Sequence, residues 1–194
     1  TQRRMTKKEA RRVFKEKRLS LTVGERNRFD DLILIQFQQL PLPDLFYVHT
    51  YLAIKEQREI ETDHLLHYLE FRNPELKIVI PRMDHEKNEL LHIEYDELVD
   101  VMKNEWGIHE PVNGNFIDEE QIDLVFVPLL AFDTDGYRVG YGKGFYDKFL
   151  AKCRPDVLKV GLSYFDAIDT ISDRAQFDIP LNYCITPQRI YEFG

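Results

Sequence analysis

The feature that most constrains the fold is an uninterrupted apolar segment beyond the middle of the chain. Residues 123–127 (Asp-Leu-Val-Phe-Val) lead into Pro128, and a glycine-rich stretch and then a helical segment follow. A short apolar run of this kind is typical of a strand that is buried on both faces, as in parallel sheets covered by helices. The sequence therefore predicts a strand, loop and helix that belong to a layered α/β fold.

Helical and strand-like segments alternate along the rest of the chain. Thr6 can cap a first helix, and Thr22 with Glu25 forms a capping-box pattern that opens a second helix. We predict helices at residues 7–19, 23–39, 63–71, 97–103 and 143–153 and strands at residues 46–53, 77–80, 89–95, 123–127, 158–164 and 183–186. Pro81 is expected to end the second of these strands.

This alternation predicts a three-layer α/β/α, Rossmann-like architecture with a mainly parallel sheet. No repeat or Gly/Ser-rich linker divides the chain, so residues 1–194 are expected to form one domain. Sheets of this kind bind ligands beyond the carboxyl ends of their strands. Polar, loop-like sequence follows the strands at 46–53 and 123–127, and we expect the binding pocket there.

The charge of the chain is unevenly distributed. Residues 1–18 contain nine Lys or Arg and two acids, although the whole chain has a net charge of −8. A basic segment on an acidic body favours an anionic ligand, and the acidic body argues against a broad nucleic-acid surface. The four basic residues Lys7, Arg11, Lys15 and Arg18 share one helix face. The alternative is a solvated helix face with no ligand.

Cysteine usage and hydropathy favour an intracellular location. The two cysteines, Cys153 and Cys184, form no Cys-x-x-Cys or Cys/His cluster, so no zinc or redox site is predicted. No apolar run approaches the roughly 20 residues that span a bilayer. The N-terminus lacks the apolar region of a signal peptide. The expected protein is cytoplasmic, contacts no membrane and acts as a monomer.

The glycine-rich stretch is the strongest functional signal. Glycines at 140, 142 and 144 permit backbone conformations that other residues avoid, and they let main-chain N–H groups approach a ligand. The helix that follows directs its free N–H groups and the positive end of its dipole to the same point. Arg138 and Lys143 add positive charge. This combination predicts an anion site that suits phosphate.

The spacing of this stretch differs from the common phosphate-binding motifs. It lacks the Gly-Lys-Ser/Thr ending of a Walker A loop, and its third glycine comes one residue early for the dinucleotide fingerprint. The alternative interpretation is a tight turn between two secondary-structure elements.

Asp147 lies in the first turn of the predicted helix, close to the proposed phosphates. Two anions would repel each other there unless a cation lay between them, and Mg²⁺ commonly bridges carboxylate and phosphate oxygens. The alternative is that Asp147 only complements the helix dipole.

Acids and histidines elsewhere give weaker signals. Glu59 and Glu61 follow the strand at 46–53, where a carboxylate could bind the N–H groups of a heterocycle or simply be a solvated loop acid. His64 and His67 lack a third metal ligand and are interpreted as surface or core residues.

The long motif from Val127 to Asp147 resembles that of the 5-formyltetrahydrofolate cyclo-ligase family, also called 5,10-methenyltetrahydrofolate synthetases. It reads VPLLAFD at 127–133, then Gly136, Arg138 and Gly140, and GKGFYD at 142–147. Shorter matches occur in the same order along most of the chain: KKEAR at 7–11, EIET at 59–62, IPR at 80–82, WGIHEP at 106–111 and DIP at 178–180. Phe177 stands where the family often has histidine.

The resemblance implies an ATP- and Mg²⁺-dependent ligase that converts 5-formyltetrahydrofolate to 5,10-methenyltetrahydrofolate and releases ADP and phosphate. The family chemistry proceeds through phosphorylation of the formyl oxygen, which makes that oxygen a leaving group. The protein then mainly positions reactants and stabilises charge.

The resemblance also implies roles for individual residues. ATP would be bound by Lys7, Lys8, Arg11, Arg138, Gly140, Tyr141, Gly142, Lys143, Gly144, Phe145 and Tyr146, with Arg138 and Lys143 acting in catalysis. The folate would contact Leu52, Glu59, Arg82, Trp106 and Tyr146. Asp147 and Asp178 would bind the metal.

Two other functions are compatible with the residues alone. One is a sugar-phosphate isomerase or acyl-transfer enzyme on a similar sheet, which would need no nucleotide. The other is a non-catalytic sensor that binds a phosphorylated ligand or a folate.

Overall fold

The computed structural model describes residues 3–194. Its α-helices are α1 (Lys7–Leu19), α2 (Val23–Phe37), α3 (Asp63–Arg72) and α4 (Phe145–Lys152), and 3₁₀ turns cover Lys55–Gln57 and Glu119–Gln121. Its strands are β1 (Arg4–Met5), β2 (Tyr47–His49), β3 (Lys77–Asp84), β4 (Glu89–Tyr95), β5 (Val101–Lys103), β6 (His109–Pro111), β7 (Leu124–Val127), β8 (Ala131–Phe132), β9 (Arg138–Val139), β10 (Leu158–Leu162), β11 (Thr170–Ile171), β12 (Tyr183–Ile185) and β13 (Ile190–Glu192).

A seven-stranded sheet forms the centre of the fold, in the order β13-β12-β10-β7-β2-β3-β4. The five inner strands run parallel, and antiparallel strands flank them at both edges. The chain builds outward from β2 to β3 and β4 on one side, and from β7 to β10, β12 and β13 on the other. The order reverses between β2 and β7, and such a switch point opens a crevice at the carboxyl ends of the strands.

Residues of β7 alternate between two hydrophobic cores on opposite faces of the sheet. Leu124 and Phe126 pack with α2 and α3, through side chains such as Phe37 and Leu66. Val125 and Val127 pack with α4, whose Phe149 and Leu150 are buried. All four β7 residues are buried, as expected for a strand covered on both faces. The predicted three-layer α/β/α fold with a mainly parallel sheet is confirmed.

Helix α1 packs on a third, smaller core at the end of the sheet. Ala10 and Phe14 of α1 contact the β8–β9 hairpin and the segment that contains Ile168 and Ile171. Strand β1 precedes α1 and pairs in parallel with β11. These contacts hold α1 against the segment that leads into the glycine-rich loop.

Both predicted helix caps are present, and each forms a capping box, although the sequence predicted the box only for Thr22 and Glu25. Thr6 accepts a hydrogen bond from the Glu9 N–H, and the Glu9 carboxylate accepts one from the Thr6 N–H. Thr22 and Glu25 make the same reciprocal pair at the start of α2. Each box satisfies N–H groups that the helix itself leaves free.

The predicted strand at 46–53 is too long, because only Tyr47–His49 forms β2. Beyond it the Thr50 N–H donates to the Val79 carbonyl, and the Tyr51 hydroxyl donates to the Ile60 carbonyl. The chain thereby turns away from the sheet toward the 3₁₀ turn.

The predicted end of the next strand at Pro81 is also wrong, because β3 continues to Asp84. The Val79 carbonyl points toward the β2 side, so Pro81, two residues on, directs its nitrogen to that side as well. The pairing with β2 ends at Val79, whereas β4 pairs with β3 along its other side as far as Asp84. The missing N–H of Pro81 therefore costs the ladder no hydrogen bond.

The predicted short helix at 97–103 is wrong. Asp96 accepts a hydrogen bond from the Leu98 N–H, which makes a local turn, and Val101–Lys103 pairs with β6 as a hairpin. Such side-chain to backbone bonds compete with helix formation.

None of the helices within residues 3–194 is both long and apolar enough to cross a bilayer.

Candidate active site

A cavity of about 570 Å³ opens at the carboxyl ends of β2 and β7. Tyr51 and Leu52, which follow β2, form one wall, and Pro128, which follows β7, forms another. The predicted site residues that line it are Lys7, Arg11, Leu52, Glu59, Trp106, Arg138, Gly140, Tyr141, Gly142, Lys143, Gly144, Phe145, Tyr146, Asp147 and Asp178. The fold thus brings these side chains together from distant parts of the sequence.

The glycine-rich loop connects β9 to α4 and forms one end of the cavity. Gly142 and Gly144 have positive φ angles of 88° and 72°, which side chains with a Cβ rarely adopt. Gly144 is the N-cap of α4, and it lines the cavity together with the residues of the first helical turn, whose N–H groups have no partner within the helix. This geometry agrees with the anion site that the sequence predicts.

Helix α1 places two cations against this loop. Arg11 donates from Nε to the Gly140 carbonyl at 2.9 Å, and its guanidinium lies 3.1 Å from the position that a Cβ on Gly142 would occupy. One turn earlier, Lys7 forms an ion pair with Asp178 at 2.6 Å. Lys8 is exposed and does not line the cavity.

Arg138 and Asp147 form a partly buried ion pair beneath the loop. The Arg138 side chain is 6% exposed, and its NH2 group lies 3.0 Å from Oδ1 of Asp147. The same oxygen accepts the Ile179 N–H at 3.0 Å, and Arg138 also donates to the Ile179 carbonyl. These bonds tie α4 to the segment that contains Asp178, and within residues 3–194 they leave Oδ2 of Asp147 without a hydrogen bond.

The carboxylates that line the cavity can hold a metal cation only if a bound molecule supplies further oxygen ligands. Among the described residues no group of three His, Cys, Asp or Glu side chains could hold a metal by itself. Asp147 and Asp178 nevertheless both line the cavity beside the glycine loop. Mg²⁺ is commonly held by one or two carboxylates together with phosphate oxygens, and two carboxylates fit that pattern.

Glu59 is the most deeply buried acid of the cavity, with 8% of its surface exposed. Burial raises the pKa of its carboxyl, while hydrogen bonds from Tyr141 and the Ile54 N–H and the charge of Arg18 oppose that rise. Burial likewise raises the pKa of the Tyr146 hydroxyl, so this residue offers a neutral donor. An acceptor and a donor therefore face a cavity whose other walls are largely apolar.

The wall formed by β3 and the β5–β6 hairpin is apolar and aromatic. Trp106 lines the cavity and packs on His85 with the ring centroids 4.3 Å apart. Pro81 and Met83 of β3 line the same wall, whereas Arg82 does not. Side chains alternate along a strand, so Arg82 points to the other face.

Several cavity residues carry no signal that sequence reasoning recognised. Met83 would have followed from strand parity once Pro81 was placed in the wall. Others, such as Gln57 at the end of a 3₁₀ turn and Phe177 in a later turn, lie in segments too short for a periodic pattern to indicate their direction. Phe177 stays 76% exposed although it lines the cavity.

A buried histidine pair also went unrecognised in the sequence. His49 Nε2 and His92 Nδ1 lie 3.0 Å apart across β2 and β4, and the His49 ring packs on Tyr146 and Phe149. Burial lowers the pKa of His92 to about 4 and that of His49 well below its usual value, so both rings are neutral near pH 7. His64 and His67 are exposed, so of the two interpretations, surface or core residues, the structure shows the surface one.

Comparison with known proteins gives a consistent result. The model of the 5-formyltetrahydrofolate cyclo-ligase family matches residues 3–176. A mouse protein named 5-formyltetrahydrofolate cyclo-ligase is 34% identical over 104 residues, and the match covers half of each chain. A Mycoplasma pneumoniae protein of the same name is 26% identical over 184 residues, which covers 92% of this chain and 99% of the relative.

A solved structure has the same fold. The 5,10-methenyltetrahydrofolate synthetase of Aquifex aeolicus superposes with a TM-score of 0.79 at 29% sequence identity, and the match covers 97% of this chain and 93% of the other.

Proposed function

Because the chain belongs to the 5-formyltetrahydrofolate cyclo-ligase family, we propose that it closes the ring of 5-formyltetrahydrofolate to 5,10-methenyltetrahydrofolate at the expense of ATP. One observation carries this proposal. A glycine loop at a helix N-terminus, faced by Lys7 and Arg11, shares a single cavity with the buried carboxylate of Glu59.

The nucleotide would occupy the end of the cavity formed by the glycine loop. Main-chain N–H groups of residues 140–146 and the cations Lys7 and Arg11 would bind its phosphates. Lys143 lines the cavity within this loop and would stabilise charge on the phosphoryl group that is transferred. The Arg138–Asp147 ion pair would fix the position of the loop relative to α4.

Asp147 and Asp178, which line the cavity beside this loop, would hold Mg²⁺. Bound there, the ion would neutralise phosphate charge that these two acids would otherwise repel. Lys7 neutralises Asp178 in the structure and would orient that carboxylate toward the phosphates.

The folate would occupy the other end, between Glu59, Leu52 and Trp106. A pterin presents N–H groups, which Glu59 can accept, and a flat ring, which suits an aromatic and aliphatic wall. Tyr146 is half-buried and lines the cavity, and its hydroxyl would orient the formyl group.

With the substrates bound in this proposed arrangement, the reaction would proceed in two steps. The formyl oxygen attacks the γ-phosphorus, the bond to the β-phosphate oxygen breaks, and ADP leaves. The N10 amine then attacks the formyl carbon, its proton is lost, and the carbon–oxygen bond breaks with release of phosphate. The protein contributes alignment of the reactants and stabilisation of charge.

The test is an assay for the ultraviolet absorbance of the methenyl product, run together with an assay for ADP. We expect product only when ATP, Mg²⁺ and 5-formyltetrahydrofolate are all present, with one ADP per product. Turnover without ATP would instead favour an isomerase or acyl-transfer enzyme. Binding of either ligand without ADP release would favour a sensor.

Isotope labelling of the same reaction tests the phosphorylated intermediate, with the released phosphate analysed by mass spectrometry. With ¹⁸O in the formyl group, the account expects the label in the released phosphate, because that oxygen leaves bonded to phosphorus. Label released into water would contradict phosphorylation of the formyl oxygen.

A further inference from the structure

Arg18, in the last turn of α1, connects the two ends of the cavity. The residue is only 6% exposed although it carries a full charge. Within residues 3–194 it forms no ion pair with any carboxylate. A buried arginine without a paired acid is costly unless its N–H groups are bound elsewhere. The hydrogen bonds of Arg18 must therefore offset the cost of burying its charge.

Three separate segments accept hydrogen bonds from this one guanidinium. Nε donates to the Gln57 carbonyl at 2.9 Å, NH1 to the Leu129 carbonyl at 3.3 Å and NH2 to the Tyr141 hydroxyl at 2.7 Å. Gln57 ends the 3₁₀ turn just before Glu59, and Tyr141 belongs to the glycine loop. Leu129 follows β7 and fixes the guanidinium to the sheet.

The surroundings of Glu59 show the same connection. The positive charge of Arg18 lowers the pKa of Glu59 and that of Tyr141 against the effect of burial. A second arginine fixes the same turn, since Arg58 donates to the Leu21 carbonyl at 2.8 Å, just after α1. The 55–59 segment is thus bonded both to α1 and to the residues that follow α1.

We propose that Arg18 is a positioning residue that couples the nucleotide end of the cavity to the folate end. This inference rests on the proposed function. A nucleotide that orders Tyr141 would fix the guanidinium, and through it the turn that carries Glu59. The folate would then find its acceptor already ordered, so it would lose less conformational entropy on binding. By linkage, the folate would improve nucleotide binding by the same factor.

The test is equilibrium binding of 5-formyltetrahydrofolate with and without a saturating non-hydrolysable ATP analogue and Mg²⁺. We expect the analogue to tighten folate binding in the wild type by about fivefold or more, which is the usual lower range of coupling between sites. The measured quantity is the ratio of the folate dissociation constants without and with the analogue. In Arg18→Met this ratio should fall to about one. Arg18→Lys keeps the charge but has no planar fork for three separate acceptors, so it should lose most of the ratio too.

Two further variants make the experiment decisive. Tyr141→Phe removes the hydroxyl that Arg18 NH2 binds and that also bonds Glu59, so it should lower the ratio even if Arg18→Met fails to fold. Arg12→Met removes an exposed arginine from the same helix and should retain the wild-type ratio.

Failure of this inference can be told apart from failure of the proposed function. A wild-type ratio of one, or an unchanged ratio in Arg18→Lys and Tyr141→Phe, would overturn the coupling role while the wild type still turned over. Absence of turnover in the wild type would reject the proposed function itself.

Discussion

Glu59 is a carboxylate that the fold withdraws almost completely from water, on a turn that α1 holds in place. Its raised pKa follows from burial, and the Ile54 N–H that bonds one of its oxygens at 3.2 Å only partly offsets that rise. A buried acceptor of this kind forms a stronger hydrogen bond with a matching N–H donor than an exposed acceptor does, because water does not compete for it.

Glu59→Gln should weaken 5-formyltetrahydrofolate binding by at least about tenfold, since hydrogen bonds to a charged acceptor are worth about 1.5–3 kcal/mol. The raised pKa keeps Glu59 protonated to a higher pH than an ordinary glutamate. Wild-type affinity should therefore fall as the pH drops through that pKa, and the glutamine variant should lack this dependence. Fluorescence titration without ATP measures both.

Glu61→Gln is the matched control, because this glutamate is exposed two residues away. It should retain wild-type affinity and wild-type pH dependence. Identical pH profiles for wild type and Glu59→Gln would contradict the role assigned to Glu59.

Asp147→Asn should lower kcat by about 10²-fold or more, in the range found when one group that stabilises transition-state charge is removed. The variant should also need more Mg²⁺ for half-maximal rate, which a purely structural role for Asp147 would not require. Steady-state rates over a Mg²⁺ titration check both effects.

Asp156→Asn serves as the control for Asp147→Asn, because Asp156 is an exposed partner of Arg154 at 3.0 Å. Its rate and Mg²⁺ requirement should match the wild type. Normal turnover in Asp147→Asn would remove the metal assignment.

At the scale of the element, α1 contributes three basic residues, each with a different proposed role, in fewer than four turns. Its first turn presents Lys7, its middle Arg11 and its last turn Arg18, all toward the cavity side of the fold. Lys15, on the same predicted stripe, is exposed. The basic stripe is therefore not a uniform phosphate surface, because its last member is buried and bound to protein carbonyls.

The two capping boxes provide a matched comparison of elements. Thr6→Ala and Thr22→Ala should each reduce the free energy of unfolding by about 1 kcal/mol, the usual cost of losing such a cap. Only Thr6→Ala should raise the KM for ATP, since Lys7 follows directly in α1. Urea denaturation and initial rates test the pair. An equal rise of KM in both variants would show that the effect comes from stability alone.

Sequence patterns predicted the elements that local chemistry determines and missed those that depend on distant partners. Thr6 and Thr22 carry their capping partners within three residues, and β7 carries its own apolar run. The extension of β3 past Pro81 depends on where β2 ends, and the β5–β6 hairpin depends on pairing across the 104–108 turn. The direction of Arg82 follows only from that extended strand.

At the scale of the whole molecule, the reversal of strand order between β2 and β7 places the cavity. Segments that follow these two strands supply Leu52 and Pro128, and the loop before α4 supplies the glycines of the proposed phosphate site. The sequence predicted this end of the sheet and most of the cavity residues. It contained no signal for the Lys7–Asp178 pair, whose members lie more than a hundred residues apart.

The central claim is that the loop at 140–146 is the triphosphate site of an ATP-dependent cyclo-ligase. The most direct test is a crystal structure with Mg²⁺ and a non-hydrolysable ATP analogue. The account predicts phosphates against the backbone N–H groups of this loop, within reach of Lys7 and Arg11, with Mg²⁺ beside Asp147. Phosphates bound elsewhere, with this loop unoccupied, would contradict it.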